Sequence, residues 1–201
     1  MRAAAAKARR ASQGVLAPAL PRSRVALLLV DLINPLQFDG AEDLAAPAVA
    51  AARCTAALKR RLAQQGVPAI YVNDNFGHWQ SDFRGVIARC RRSGGPAAAL
   101  VRLLAPRRDD LAVLKPRHSA FYGTPLDQLL EQIGARELVI AGLATDLCVQ
   151  FSAADAYVHG YRLWVPEDCT AAESAERKDA ALAWMREALK CRTTAAGGTL
   201  R

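Results

Sequence analysis

The feature that most constrains this chain is a regular alternation of short apolar runs with longer segments of helical spacing. A continuous apolar run is typical of a strand that is buried on both faces of a parallel sheet. The runs predict strands at 25–31, 67–74, 111–115, 137–142 and 161–168, with a short sixth strand near 191–194. Such alternation implies βαβ units. The sequence therefore predicts an α/β fold with three layers (α/β/α), a mainly parallel five- to six-stranded sheet and a single domain.

The segments between these runs carry the residues that begin and end helices. They predict helices over 43–65, up to about 92, from 93–96 to about 104, and over 124–134, 145–160 and 172–189. The clearest signals belong to 124–134, where Thr124 is expected to cap the helix, Pro125 to begin it and Gly134 to end it.

Composition and charge narrow the class of protein. The chain has 201 residues, of which 52% are hydrophobic, which suits one globular domain, and no apolar run reaches the ~18 residues of a membrane span. The net charge is +8, but residues 1–24 hold six basic and no acidic side chains, which leaves 21 basic against 19 acidic residues elsewhere. We therefore expect neither a membrane nor a nucleic-acid partner, although a tail that binds nucleic acid stays an alternative.

The same distribution suggests the domain boundaries. We predict a disordered basic tail at 1–23, one folded domain at 24–195 and a disordered C-terminal end at 196–201. The five cysteines form no CxxC pair, and the tail lacks the apolar core of a secretory signal. This pattern predicts reduced thiols and a cytoplasmic location.

Three reactive side chains lie at predicted strand ends. Asp31 ends the first strand, Lys115 ends the third, and Cys148 follows the fourth in the first turn of a helix. Ligands in open α/β sheets bind beyond the carboxyl ends of the strands. A helix N-terminus and a lysine favour a thiolate, and a carboxylate can take the thiol proton. The three residues are thus candidates for nucleophilic catalysis.

Each of these residues also has an ordinary interpretation. Asp31 could cap a turn, Lys115 could be solvated, and Cys148 could be a small core residue. A catalytically silent binding protein therefore stays an alternative. Other catalytic motifs are missing from the sequence, which contains no G-x-G-x-x-G, no phosphate-binding loop, no G-x-S-x-G and no H-E-x-x-H.

Four stretches of sequence identify a family. They are LLLVDLINPL, the loop after VPAIYVND, LKPRHSAFYGTPLDQLL, and AGLATDLCVQFSAADAYVHGY followed by LWVPEDCTAA. Over about residues 25 to 195 the chain resembles the isochorismatase-like cysteine hydrolases, in particular their amidase and nicotinamidase-related branch. The resemblance implies that Asp31 is the general base, that Lys115 stabilises charge and that Cys148 is the nucleophile. It implies cleavage of a C–N bond in a small amide, carbamoyl or ureido compound through a thioester.

The resemblance also describes the turn before Cys148. It implies a cis peptide between Leu143 and Ala144, and an oxyanion hole formed by the backbone amides of Ala144 and Cys148. Thr145 and Asp146 would cap the helix and fix this turn.

Some positions depart from the family pattern. Nicotinamidases bind a metal through an Asp and two His, but here Phe76 stands where the first His would be, between Asp74 and His78. We therefore expect no metal and no cofactor, although an isochorismatase- or nicotinamidase-type hydrolase with another substrate stays an alternative. The presence of Cys148 favours C–N hydrolysis, because isochorismatases usually lack this cysteine.

The substrate pocket is expected to be lined by residues from three loops. The expected substrate-binding residues are Leu36, Asn75, Trp79, His118 and Tyr122. An aromatic pocket with a few polar groups suits a small planar amide or ureido compound. We also expect a homo-oligomer, in which a neighbouring subunit could complete the pocket.

Overall fold

The computed structural model describes residues 19–197, and the predicted elements alternate along them as expected. The strands of this region are β1 (Val25–Val30), β2 (Ala69–Asp74), β3 (Leu111–Lys115), β4 (Glu137–Leu143), β5 (Arg162–Trp164) and β6 (Thr170–Ala171). The α-helices are α1 (Ala41–Gln64), α2 (Phe83–Ser93), α3 (Gly95–Leu103), α4 (Leu126–Ile133), α5 (Gln150–Val158) and α6 (Ala175–Leu189). A π-helical turn at Thr145–Val149 precedes α5, and a short 3-10 turn spans Glu167–Cys169.

The strands form one parallel sheet in the order β3-β2-β1-β4-β5, and β6 pairs with β4. Strands β2 and β3 lie on one side of β1, and β4 and β5 lie on its other side. The order of strands therefore reverses between β1 and β4, and the carboxyl edge of the sheet at this point is where ligands bind in such folds. This architecture confirms the predicted α/β fold and its single domain.

Both faces of the sheet are buried, which explains why the strands read as continuous apolar runs. Alternate residues of β1 point to opposite sides: Leu27 and Leu29 join one cluster, and Leu28 and Val30 join the other. The first cluster includes side chains of α1, α2 and α3, and the second includes side chains of α4, α5 and α6. The sheet is thus the middle layer of three.

The central strands approach each other closely at Gly142 of β4, which pairs with Val30 of β1. A Cβ atom on Gly142 would lie 2.8 Å from the Val30 Cβ and closer still to the Val30 carbonyl oxygen. We predict that Gly142→Ala lowers the free energy of unfolding by about 1–3 kcal/mol, the usual cost of overpacking. Urea denaturation measures it, with Gly197→Ala, which has open space around it, as the control. Equal stability of the two variants would contradict this close packing.

Three sequence predictions need correction in this part of the chain. The predicted sixth strand near 191–194 is an isolated bridge between Arg192 and Trp164, and the sixth strand is β6 at Thr170–Ala171. The fifth strand ends at Trp164, shortly before Pro166, which has no N–H to donate to a sheet. The helix over 124–134 begins at Leu126, with Pro125 rather than Thr124 at the cap position.

Residues on both sides of the predicted domain at 24–195 hydrogen bond to the fold. Ser23 donates its backbone N–H to the carbonyl of Ile133 at 3.1 Å. Ala196 is buried and donates its backbone N–H to Asp168 Oδ1 at 2.7 Å. Most of the tail predicted at 1–23 and of the end predicted at 196–201 lies outside the described residues, at 1–18 and 198–201. Within 19–197, no helix combines the length and apolarity needed to cross a membrane.

Candidate active site

The fold brings Asp31, Lys115 and Cys148 together at the carboxyl edge of the sheet. Lys115 Nζ lies 2.8 Å from Asp31 Oδ2 and 3.6 Å from Cys148 Sγ, and it donates to the carbonyl of Arg117 at 3.1 Å. The three N–H groups of the ammonium therefore each have a partner. The charge of Asp31 also acts on the Cys148 thiol and raises its pKa. The three side chains are buried and form one contiguous cluster.

The Asp31 carboxylate is held on both oxygens. Oδ2 faces Lys115, and Oδ1 accepts a hydrogen bond from the backbone N–H of Asp74 at 2.7 Å. The backbone of Asp31 has a φ of 50°, in the left-handed region that a residue with a side chain seldom adopts. Its own N–H donates to the carbonyl of Val72 at 3.0 Å. The loop after β1 is thereby fixed with this carboxylate directed at the thiol.

Burial dominates the electrostatics of the cluster. Burial raises the pKa of the Cys148 thiol, the charge of Asp31 raises it further, and Lys115 only partly opposes this. Burial also raises the pKa of Asp31, again opposed by Lys115. For Lys115 burial acts to lower the pKa, but the charges of Asp31, Cys148 and Asp74 together raise it. Burial thus opposes the thiolate form more strongly than Lys115 favours it.

A π-helical turn positions Cys148. The Leu143–Ala144 peptide is cis, at the position that the family resemblance implies. The N–H of Val149 donates to the carbonyl of Ala144 at 3.1 Å, which closes the wide turn that contains the cysteine. The turn sets the Cys148 side chain against Asp31 and Lys115.

Thr145 and Asp146 do not cap this turn, contrary to the prediction. Ala144 occupies the cap position, and no side chain caps the helix. Thr145 Oγ1 is buried, with no hydrogen-bond partner in the described part of the chain. Asp146 Oδ2 instead accepts from Arg177 Nε at 2.6 Å, which ties the turn to α6.

A cavity of about 420 Å³ opens over the cluster. Its lining combines apolar rings and aliphatic side chains with charged groups of both signs. The lining residues are Asp31, Asn34, Pro35, Gln37, Phe38, Leu44, Asp74, Phe76, Arg89, His118, Leu143, Ala144, Leu147, Cys148, Glu173 and Arg177. This size and this mixture suit a small polar molecule with an apolar portion.

His118 is the member of the predicted substrate-binding set that lines this cavity. Its Nδ1 lies 3.7 Å from Cys148 Sγ, and its ring packs against Phe151 with centroids 5.8 Å apart. The His118 side chain is exposed to solvent and also lines the cavity. It is placed to contact a group that is bound to the sulfur.

The other four predicted pocket residues do not line the cavity in the single chain. Leu36 packs against the core of the domain, and Asn75 Oδ1 accepts a hydrogen bond from the Gly77 N–H at 2.9 Å. Trp79 and Tyr122 are 81% and 64% exposed and point away into solvent.

Sequence reasoning missed the residues that form most of the cavity wall. Phe38 and Phe76 supply its aromatic surface, while Arg89 and Arg177 supply its cations. In the sequence, Phe76 stands where nicotinamidases have a metal-binding His. Its backbone φ of 52° turns the loop after β2. Arg89 lies among several arginines of α2, so no local signal distinguishes it from its neighbours.

The residues after β2 do not fit a metal site. Asp74 Oδ1 accepts a hydrogen bond from the Phe76 N–H at 2.6 Å, and Oδ2 lies 3.6 Å from Lys115 Nζ. His78 is exposed. Between residues 19 and 197, no group of three or more His, Cys, Asp or Glu side chains could hold a metal ion.

Comparison with known proteins defines the class to which this fold and site belong. A match to the isochorismatase domain spans residues 25–196, and the chain belongs to the isochorismatase family. It is 37% identical over 164 residues to the isochorismatase family protein YaaI of Bacillus subtilis, which covers 82% of this chain and 90% of YaaI.

Two further comparisons concern an enzyme of related sequence and a solved structure of related fold. The chain is 30% identical over 152 residues to the maleamate amidohydrolase of Pseudomonas putida, covering 72% of this chain and 70% of that enzyme. The crystal structure of the nicotinamidase SaPncA from Staphylococcus aureus superposes with a TM-score of 0.65 at 22% identity, over 86% of this chain and 98% of that one. The second likeness confirms the fold.

Proposed function

We propose that this protein is a cysteine amidohydrolase that cleaves a C–N bond of a small amide, carbamoyl or ureido compound through a thioester on Cys148. The observation that carries the proposal is the contact of Asp31, Lys115 and Cys148 beneath one cavity. The similarity to a maleamate amidohydrolase supports the reaction type.

The first step moves a proton within the cluster. Asp31 accepts the proton of the Cys148 thiol, and the resulting thiolate faces the ammonium of Lys115. The transfer replaces one anion by another beside the same cation, so the net charge of the buried cluster does not change. This explains how a thiol with a raised pKa can serve as a nucleophile, since the base lies in the same buried cluster and pairs with the same ammonium.

The second step forms and breaks bonds at the carbonyl carbon. The sulfur attacks this carbon, and the carbonyl electron pair moves onto oxygen, which the backbone amides of Ala144 and Cys148 stabilise. The C–N bond then breaks as the protonated Asp31 donates its proton to the leaving nitrogen. Ammonia or an amine departs, and the acyl group stays on Cys148 as a thioester.

The third step regenerates the enzyme. Asp31, again ionised, takes a proton from a water molecule that attacks the thioester carbon. The C–S bond breaks, the proton returns to the sulfur, and the carboxylic or carbamic acid leaves. A cytoplasmic location and a homo-oligomeric state stay predictions beside this mechanism.

A substrate panel with ammonia detection tests the proposal. We expect the wild-type protein to release ammonia from at least one compound among primary carboxamides, N-carbamoyl amino acids and ureido acids. Cys54→Ala, which alters a half-buried thiol outside the cluster, should leave this release unchanged. Saturable binding of panel compounds without any ammonia release would instead favour the catalytically silent binding protein. Conversion of isochorismate with no amide turnover would favour the alternative of an isochorismatase-type hydrolase.

A further inference from the structure

The two arginines of the active-site cavity differ in their partners. Arg177 is neutralised, because its Nε lies 2.6 Å from Asp146 Oδ2 and its Nη1 contacts Glu173 Oε2. Arg89 has no carboxylate within 4.0 Å and no side-chain hydrogen bond among the residues that the structure describes. Its guanidinium lies over the Phe76 ring, 5.9 Å from the centroid. Arg89 is thus a half-buried cation that lines the cavity unpaired.

The carboxylates of the cavity are already engaged with other groups. Asp31 pairs with Lys115, and Glu173 pairs with Arg177. Asp74 accepts from a backbone N–H through one oxygen and lies near Lys115 through the other. None of them therefore serves Arg89. A partly desolvated guanidinium without a counter-ion is unfavourable, and an anionic ligand would restore the interactions that the guanidinium has lost to water.

We propose that Arg89 binds a carboxylate of the substrate, so that the substrate is a small acid that also carries the amide, carbamoyl or ureido group. This inference rests on the proposed function and names the substrate class of the same site. The planar guanidinium matches the two oxygens of a carboxylate. The anion on the wall formed by α2 then fixes the reactive carbonyl over Cys148.

A pair of alkylating reagents tests the anion site without knowledge of the substrate. Iodoacetate and iodoacetamide both modify a thiolate, but only iodoacetate is an anion. The rate ratio of the two reagents at Cys148, followed by peptide mass spectrometry at one alkaline pH, isolates the effect of charge, because any change in the thiol pKa affects both rates equally. The variants are Arg89→Gln, Arg89→Lys and, as matched control on an exposed position of α2, Arg92→Gln.

We expect Arg89→Gln to lower the iodoacetate-to-iodoacetamide ratio about tenfold, Arg89→Lys to retain most of it, and Arg92→Gln to leave it unchanged. High salt should weaken the wild-type preference. An identical ratio in wild type and Arg89→Gln would overturn the carboxylate site and leave the proposed function standing. If neither reagent modifies Cys148 in the folded protein, the proposed function and the carboxylate site fall together.

Steady-state kinetics separates binding from a merely structural role. Maleamate and its methyl ester differ in one negative charge and share the cleavable amide. Arg89→Gln should raise KM for the acid at least about tenfold with a much smaller change in kcat, and should affect the ester far less. Equal changes for acid and ester would show that Arg89 only supports the fold, which contradicts the proposal.

Discussion

Replacing Cys148 by alanine is expected to lower kcat on an amide substrate by at least about a thousandfold, because the proposed thioester cannot form without the sulfur. Asp31→Asn is expected to have a similar effect, since it removes the base that shares Lys115 with the thiol. The double variant should be no slower than the slower single variant, because the two residues act in one proton transfer. Ammonia release under saturating substrate measures all three.

The control for this experiment is a cysteine that the structure places elsewhere. Cys54 is half-buried and outside the cluster, so Cys54→Ala should keep wild-type kcat. Thermal denaturation of each variant confirms that it is folded. A Cys148→Ala protein that is folded and retains near-normal turnover would show that the sulfur is not the nucleophile.

Lys115→Met is expected to lower the free energy of unfolding by about 3–5 kcal/mol, the usual effect of removing one partner from a buried ion pair. Lys115 is fully buried and lies 2.8 Å from Asp31 and 3.6 Å from Asp74. Its loss leaves a buried carboxylate without a cation, while methionine fills a similar volume. Urea denaturation at neutral pH measures the change, and Lys190→Met, at an exposed position, is the control.

The pH dependence of this loss follows from the direction of the Asp31 shift. A carboxyl whose folded pKa lies above its unfolded value destabilises the fold when it is ionised and ceases to do so when it is protonated. Burial raises the pKa of Asp31. The deficit of Lys115→Met should therefore shrink as pH falls through that pKa, and adding Asp31→Asn should recover part of it at neutral pH. A deficit that is independent of pH and of Asp31 would contradict the ion-pair explanation.

Most of the fold could be predicted because each strand is buried on both faces. The apolar run at 25–31 corresponds to β1 at Val25–Val30, and the run at 111–115 has the same bounds as β3. The sixth strand could not be predicted, because Thr170–Ala171 has only two residues and its pairing with β4 depends on tertiary structure. A stretch this short carries no periodic signal.

The cluster of Asp31, Lys115 and Cys148 could be predicted for a geometric reason, and the cavity wall could not. Parallel strands bring their carboxyl ends to one edge, so side chains at those ends meet wherever the strands lie in sequence. Side chains away from the strand ends follow no such rule: Trp79 points into solvent, whereas Phe38 and Arg89 line the cavity. The raised pKa of Cys148 also escaped prediction, because burial is a property of the whole packing and not of the helix that contains the thiol.

The most direct test of the account is capture of the covalent intermediate. Wild-type protein is mixed with a substrate that releases ammonia, quenched with acid during turnover and digested for peptide mass spectrometry. We expect the peptide with Cys148 to carry the acyl group of the substrate, and we expect no accumulation of the adduct in Asp31→Asn. Rapid turnover with an unmodified Cys148, or an acyl group on another residue, would contradict the proposed mechanism.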